Sequence, residues 1–496
     1  MVKLNHSIHF ILNDEEVTTD AAPGTLALDY AREHRQLNGT KSGCKEGDCG
    51  ACTVIVGELD SQGSLRYLPM TSCLLPIGEL HGKHLVTIEG LNMKELSPVQ
   101  QAMVDCGGSQ CGYCTPGFVV AMTAGLMEPK LPLNEKGALH AISGNLCRCT
   151  GYRSIKTAGV QVIESLADKL NAGNRVQSLV EAGALPEYFA GIEARLKAIQ
   201  SVPLAPEPEP EPEPGHDTPT GESTPRFIIS GGTDLYVQRG DELPAADLVL
   251  LNNRPAIKAP ELHAGRISFD ARMTFEAFAE DPLVLRHLPE MPAYNDLIAS
   301  WPMRTRSSIG GNICNASPIA DMTCLMLALE ADLTLSGSDG RRRTIPLREF
   351  YLGYKQLNKK PDEIVEEISF PSFSEPTIVN WEKVSKRAWL DIATVNAACK
   401  LRVEGGFFTE VHLALGGVAA TPLYLAEASR ALEGKPLTAE SIHACVDVAL
   451  GEFTPMGDVR GSADYKRLLA RQLLLVHFEK LYPETISQED LYAPLR

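Results

Sequence analysis

Eight cysteines in the first third of the chain fall into two sets of four: Cys44, Cys49, Cys52 and Cys73, then Cys111, Cys114, Cys147 and Cys149. Nothing else constrains the fold as tightly, because four thiolates that share one centre fix the path of every loop that carries them. The first set reads C-x4-C-x2-C with Cys73 twenty residues further on, the plant-type [2Fe-2S] spacing. Gly43, Gly47 and Gly50 allow the tight curl such a loop needs and turn amide N–H groups toward the sulfurs. A structural zinc site usually pairs its cysteines as two CxxC knuckles, and this spacing matches that poorly. The second set, C-x2-C and then C-x-C after 32 residues, leaves zinc and a cluster both open on spacing alone. The remaining five, Cys106, Cys314, Cys324, Cys399 and Cys445, have no ligand spacing and read as buried thiols.

The 496 residues correspond to roughly three or four domains. The net charge of -17 argues against nucleic acid and anionic membrane as partners. No stretch of 18 apolar residues and no secretory h-region are visible, so a soluble, cytoplasmic protein is expected, in whose reducing environment clustered cysteines serve as metal ligands. Residues Val202 to Pro225, VPLAPEPEPEPEPGHDTPTGESTP, form a proline-glutamate spacer of extended, solvated chain that can span on the order of 60 Å.

Before that spacer, Ile8 to Val17 alternates apolar and polar residues around an Asn13-Asp14 turn, as in a β-hairpin, and Leu26 to His34 reads as helical. Ser97 and Pro98 open a helix with Val99, Ala102, Met103 and Cys106 on one face, ended by Gly107-Gly108. Thr115-Pro116 opens a second helix, Asn134 caps a third and a fourth follows Tyr152. Cysteine loops between the first and second and between the third and fourth helices describe a bundle whose loops meet at one end. After the spacer, strand-like RFIIS runs into Gly231-Gly232-Thr233, and ATVNAACKLRV and VHLALGGVA precede helical segments. The expected domains are 1–88, 89–175, a helical segment and spacer at 176–225, then 226–378 and 379–496.

GSQCGYCTPG (108–117) and NLCRCTGY (145–152), behind the first cysteine set, resemble the iron-sulfur domains of the molybdenum hydroxylases. The resemblance implies that both sets hold [2Fe-2S] clusters, that the bundle cluster lies next to a molybdopterin, and that Gln110 hydrogen-bonds the pterin; by itself Gln110 reads as an ordinary loop residue. No G-x-G-x-x-G follows a strand, so a Rossmann site has no support. Two other glycine turns, Ile228-Ile229-Ser230-Gly231-Gly232-Thr233-Asp234-Leu235 and Ser307-Ser308-Ile309-Gly310-Gly311-Asn312, are similar in order to those of the family's FAD domain. The resemblance assigns the FAD diphosphate to 228–235, and the flavin to Ser308, Gly311, Asn312, Asp321, Lys383 and Asp391. It places Ile298 and Val365 against the ring, positions that also suit plain core packing, and Tyr354 of FYLGY near the nicotinamide-accessible face.

The implied fold is α+β multidomain: a β-grasp plant-type ferredoxin domain, a four-helix [2Fe-2S] bundle, an α+β FAD-binding domain of the vanillyl-alcohol-oxidase-like type and an α+β C-terminal flavoprotein domain. No molybdenum domain is visible. The fusion of clusters and flavin is similar to the small subunit of the purine-oxidising bacterial members, which implies a molybdopterin-binding large subunit as partner, a heterotetramer of two small and two large subunits, and NAD as electron acceptor. No residue of this chain is expected to catalyse the hydroxylation. The alternatives are the same scaffold serving an aldehyde, nicotinate or other N-heterocycle hydroxylase, a stand-alone NADH-oxidising iron-sulfur flavoprotein, and a zinc-binding scaffold.

Overall fold

A computed structural model describes residues 7–60, 62–170, 173–200, 226–254, 257–387 and 389–492. The proline-glutamate spacer lies outside the described residues. The chain divides into two compact units, one formed by 1–256 with 300–306 and the other by 257–299 with 307–496. Both mix helices and strands, giving an α+β multidomain chain. No helix among the described residues is long and apolar enough to cross a membrane.

In the first unit, β1 (Ile8–Leu12) and β2 (Glu15–Thr19) form the expected hairpin, with Asn13 at φ +55° in the turn. They join β3 (Thr53–Leu59), β4 (Leu65–Thr71) and β5 (His84–Val86) in the order β2-β1-β5-β3-β4, with β1 and β5 parallel, the β-grasp arrangement. Phe10, Val54, Val56, Leu75 and Leu85 fill one core, whereas Ile11 packs on Ile192, Leu196 and Ile199 of a helix at Ile192–Gln200. The region read as a helix over Leu26 to His34 is a single turn, Ala27–Asp29, that widens into a π-helix at Tyr30–His34.

The bundle follows its sequence signals closely. Helix α1 (Pro98–Asp105) starts at a capping box in which Ser97 Oγ accepts from the Gln100 N–H and Gln100 Oε1 accepts from the Ser97 N–H. Asn134 Oδ1 caps α3 (Glu135–Ala141) by accepting from the Gly137 N–H. Between them, α2 (Thr115–Met127) is buried from Gly117 to Met127, as suits a nearly uniformly apolar central helix. Tyr152 precedes α4 (Arg153–Leu166) with φ +67°, a left-handed conformation supported by a bond from the Cys147 N–H to its hydroxyl oxygen at 3.0 Å.

Two later segments also fold with this unit. The parallel strands Arg226–Ile229 and Asp247–Leu250 and the helix Leu235–Arg239 place Ile229, Tyr236 and Leu243 in one apolar cluster with Leu26, Leu28, Cys52, Cys73 and Leu74. Residues 300–306 insert Trp301 into the bundle core and set Met303 against Gly47.

The second unit contains a five-stranded antiparallel sheet, in the order Arg342–Pro346, Asp332–Ser336, Ile364–Pro371, Arg266–Asp270 and Glu261–His263. Against it pack the helices Phe275–Glu280, Ile309–Asn315 and Asp321–Ala328. A four-stranded sheet, Thr377–Val384, Val395–Glu404, Phe407–Gly416 and Leu423–Tyr424, is covered by the helices Ala426–Leu432, Ala439–Gly451 and Ala463–Leu481. Val395, Ala397, Cys399 and Leu401 face those helices, the period-2 register expected of ATVNAACKLRV.

Candidate electron-transfer centres

The first cysteine set meets at the end of the β-grasp sheet. Cys44, Cys49 and Cys52 ride the loop before β3, and Cys73 sits in the turn after β4. Lys45, Gly47 and Gly50 have φ of +56°, +80° and +65°, which give the loop its curl. A Cβ on Gly43 would lie 2.5 Å from Cys49 Sγ, so that position has room only for glycine. Amide groups of Glu46 and Asp48 face Cys44, that of Ala51 faces Cys49 and that of Gly47 faces Cys73, the donor array expected round a negatively charged centre.

The thiols come together in pairs. Cys52 and Cys73 Sγ are 3.3 Å apart and buried, and Cys44 shares a hydrogen bond with Cys49. That bond holds Cys44 down to about 5 and pushes Cys49 above the usual thiol range. In the second set Cys111 pairs with Cys149 and Cys114 with Cys147. Burial, reinforced by Cys147, raises Cys114 to about 12. Cys147 Sγ lies 3.1 Å from Thr150 Oγ1, and Cys111 and Cys149 are exposed.

This pairing separates the two metal readings. A tetrahedral zinc with Zn–S near ~2.3 Å would hold all four sulfurs within about 4 Å of one another. Among the described residues no three cysteine sulfurs lie within 4.8 Å of each other. Two pairs per set fit a centre with two irons, each taking two thiolates. The His/Asp/Glu group that is close enough for a metal, Glu330, Glu410 and His412, already surrounds the buried Lys400 ammonium, 2.7 Å from both carboxylates.

The two cysteine loops are joined directly. The Leu146 N–H donates to the Cys49 carbonyl at 2.9 Å, Asn145 Nδ2 donates to the Gly50 carbonyl at 3.0 Å and the Tyr113 hydroxyl donates to the Ser42 carbonyl at 2.6 Å. A Cβ on Gly117 would lie 2.2 Å from the Gly50 carbonyl oxygen, so the contact depends on that glycine. Gln110 is exposed beside Cys111 at the same end of the bundle. Of the other five cysteines, Cys324, Cys399 and Cys445 are buried as expected, whereas Cys106 and Cys314 are only partly so; burial pushes Cys314 up to about 11 and Cys445 up to about 12.

The residues considered for the flavin divide between the units, and each group is described by itself. In the first unit, the strand ending at Ile229 runs into a turn at Ser230-Gly231-Gly232, with Gly232 at φ +71°. Ile228 is partly exposed and Ile229 buried; Thr233 and Asp234 lead into the helix that starts at Leu235. Asn252 Nδ2 and Arg306 Nη2 donate to the Ser230 and Gly231 carbonyls at 3.3 and 2.7 Å, whereas Ser230 Oγ is buried with no partner among the described residues. A glycine turn with an orphaned hydroxyl fits a bound diphosphate.

In the second unit, Ser308 Oγ accepts from the Gly311 N–H, and Asn312 Oδ1 accepts from both the N–H and the hydroxyl of Thr323. Gly310 lies so close to Ala271 that a Cβ would be 2.7 Å from its carbonyl oxygen. Asp321 receives Lys383 Nζ at 2.8 Å and Asn396 Nδ2 at 2.6 Å, and Lys383 also donates to the Leu297 carbonyl at 2.9 Å. Ile298 and Val365 are 2% and 7% exposed within one core cluster. Asp391 pairs with Arg387, and Tyr354 is exposed. Sequence reasoning missed Arg306 and Asn396. A lone asparagine inside the apolar run ATVNAACKL was the available signal for Asn396, whereas Arg306 carried none.

Four family models match in chain order: a 2Fe-2S iron-sulfur cluster binding domain at 10–77, a [2Fe-2S] binding domain at 87–159, the FAD binding domain in molybdopterin dehydrogenase at 222–373, and the CO dehydrogenase flavoprotein C-terminal domain at 382–481. The chain is similar to xanthine dehydrogenase 1 of Arabidopsis thaliana, 28% identical over 92% of this chain and 38% of that protein, and to aldehyde oxidase 1 of Bos taurus, 29% identical over 93% and 38%. It thus spans well under half the length of these curated relatives. A solved carbon monoxide dehydrogenase chain from Hydrogenophaga pseudoflava is 31% identical, with a TM-score of 0.48 over 50% of this chain and 86% of that one. Two [2Fe-2S] domains ahead of an FAD-binding domain define an iron-sulfur flavoprotein. The chain belongs to the molybdenum hydroxylase family and corresponds to its iron-sulfur and flavin portion.

Proposed function

We propose that the chain is the electron-transfer subunit of a xanthine dehydrogenase, working with a molybdopterin-bearing large subunit in a heterotetramer of two small and two large subunits, with NAD as acceptor. The observation that carries this reading is the order of the four domains matched in this chain, clusters first and flavin after, together with its similarity to several xanthine dehydrogenases. Cys111, Cys114, Cys147 and Cys149 hold one cluster, with Gln110 beside it toward the pterin; Cys44, Cys49, Cys52 and Cys73 hold the other. In the first unit, Ile228 to Leu235 take the FAD diphosphate. In the second, Ser308, Gly311, Asn312, Asp321, Lys383 and Asp391 take the flavin, with Ile298 and Val365 against its ring and Tyr354 on the nicotinamide side.

Held there, the clusters would supply one-electron transfer and FAD the coupling of single electrons to the two-electron chemistry of NAD. The chain contributes placement. The Leu146 to Cys49 bond ties the cysteine loops together, backbone N–H groups of Glu46, Gly47, Asp48 and Ala51 offset thiolate charge, and burial of Cys52 and Cys73 excludes water. Oxidation of hypoxanthine or xanthine to urate takes place on the partner, and no residue here acts on the purine.

A second reading keeps the scaffold and changes the partner to an aldehyde hydroxylase, because aldehyde oxidase 1 is as similar as the xanthine dehydrogenases. Purification of the native complex followed by assay with xanthine, aldehydes and NAD decides between them. Xanthine-dependent NADH formation with a molybdopterin partner is the expected result. Aldehyde oxidation without xanthine turnover selects the second reading, and NADH-dye activity with no partner contradicts both.

A further inference from the structure

Arg306 is almost fully buried, at 3% exposure, and its guanidinium spans two distant parts of the first unit. Nη2 donates to the Gly231 carbonyl at 2.7 Å. Nη1 donates to Glu79 Oε2 at 3.1 Å, and Glu79, in the ferredoxin domain, is itself 2% exposed. Asn252 reinforces the junction, donating from Nδ2 to Glu79 Oε2 at 3.1 Å and to the Ser230 carbonyl at 3.3 Å. Two consecutive carbonyls of the glycine turn are therefore held by donors that share Glu79 Oε2. In a trans peptide the N–H points opposite to the C=O, so this grip directs the Gly231 and Gly232 N–H groups the other way. Neither amide donates to any partner among the described residues.

Burying an ion pair of this kind is weak as a source of stability, because desolvation cancels most of the attraction. The pair and the turn it grips also leave polar capacity unused: Arg306 Nε, Glu79 Oε1 and Ser230 Oγ are buried without a partner among the described residues. Unsatisfied groups gathered at one turn are costly for a purely structural device and call for another explanation. A dianionic ligand facing the Gly231 and Gly232 N–H groups supplies one, because the guanidinium behind the turn and the two N–H groups favour the same charge.

We propose that Arg306 is a positioning residue for the diphosphate of the bound flavin nucleotide, acting through the Gly231 peptide, and that Glu79 is its anchor. Flavin affinity is thereby tied to the ferredoxin domain. The inference rests on the FAD reading given above.

The test uses the full chain, stripped of flavin and titrated with FAD by fluorescence quenching, with iron content and thermal melting measured in parallel. Arg306→Met raises the Kd for FAD by about tenfold or more, as loss of a charge-assisted hydrogen bond does, and Arg306→Lys recovers part of the loss. Because Arg306→Met strands the Glu79 carboxylate, the double variant Glu79→Gln/Arg306→Met removes both buried charges. It melts near the unaltered protein and keeps its iron, yet retains the weakened FAD binding. A double variant that binds FAD as tightly as the unaltered chain overturns the proposal and reduces the pair to a structural one. If the unaltered chain binds no FAD, the flavin reading fails first and the proposal falls with it.

Discussion

Gly47 shows how closely one residue can be bound to the chemistry. Its φ is +80°, its N–H faces Cys73, and a Cβ there would lie 2.3 Å from Met303 Sδ and 3.0 Å from Leu74 Cδ1. Gly47→Ala therefore costs about 1–3 kcal/mol in left-handed strain and displaced side chains. The check is a lower melting temperature together with weaker iron retention, and trimming Met303 to Ala restores part of both. Cys49→Ala removes one partner of the Cys44 pair. Iron and acid-labile sulfide are then expected to fall from about four each per chain to about two, while FAD stays bound. Retention of all the iron would show that the first set had been assigned wrongly.

Arg175, at the start of the helix Arg175–Glu181, works at the scale of elements. Its guanidinium donates to the Glu128, Pro129 and Leu131 carbonyls at 2.7, 3.1 and 2.8 Å, fastening the turn that follows α2. Arg175→Ala removes these three hydrogen bonds, the one to Glu128 buried, and is expected to cost about 1–3 kcal/mol, read as an earlier thermal transition of the first unit. Elements whose signals are local were legible from sequence. Ser97 and Asn134 act as caps where the sequence placed them, and the two glycines after Cys106 end α1. Elements set by distant contacts were not. Tyr152 is left-handed because its hydroxyl receives the Cys147 N–H, and residues 300–306 fold with the first unit because Trp301 and Met303 find apolar partners there. Neither cause is visible in the adjoining sequence. The cysteine sets were legible as sets, but their division into pairs, which separates cluster from zinc, required coordinates.

For the molecule as a whole, each unit carries its own acid-sensitive histidine. Burial lowers His84 in the first unit and His477 in the second to about 3. Both are then neutral in the native state down to about that pH, while an unfolded histidine takes up a proton near ~6.5. Below that value the unfolded chain binds more protons, so each unit loses about 1.4 kcal/mol per pH unit, or about 2 kcal/mol by pH 5. Melting temperatures of both units should drop between pH 7 and pH 5, and His477→Gln should flatten the drop for the second unit alone. A melt that does not change over this range would mean that the two rings are open to water. The central claim, that the chain is a relay of two [2Fe-2S] centres leading to a flavin, is tested most directly by electron paramagnetic resonance of the dithionite-reduced protein with spin quantification. Two distinguishable cluster signals totalling about two spins per chain, changed by magnetic interaction because the Cys49 and Leu146 loops touch, are the predicted result. A colourless, spin-free protein containing zinc would contradict it.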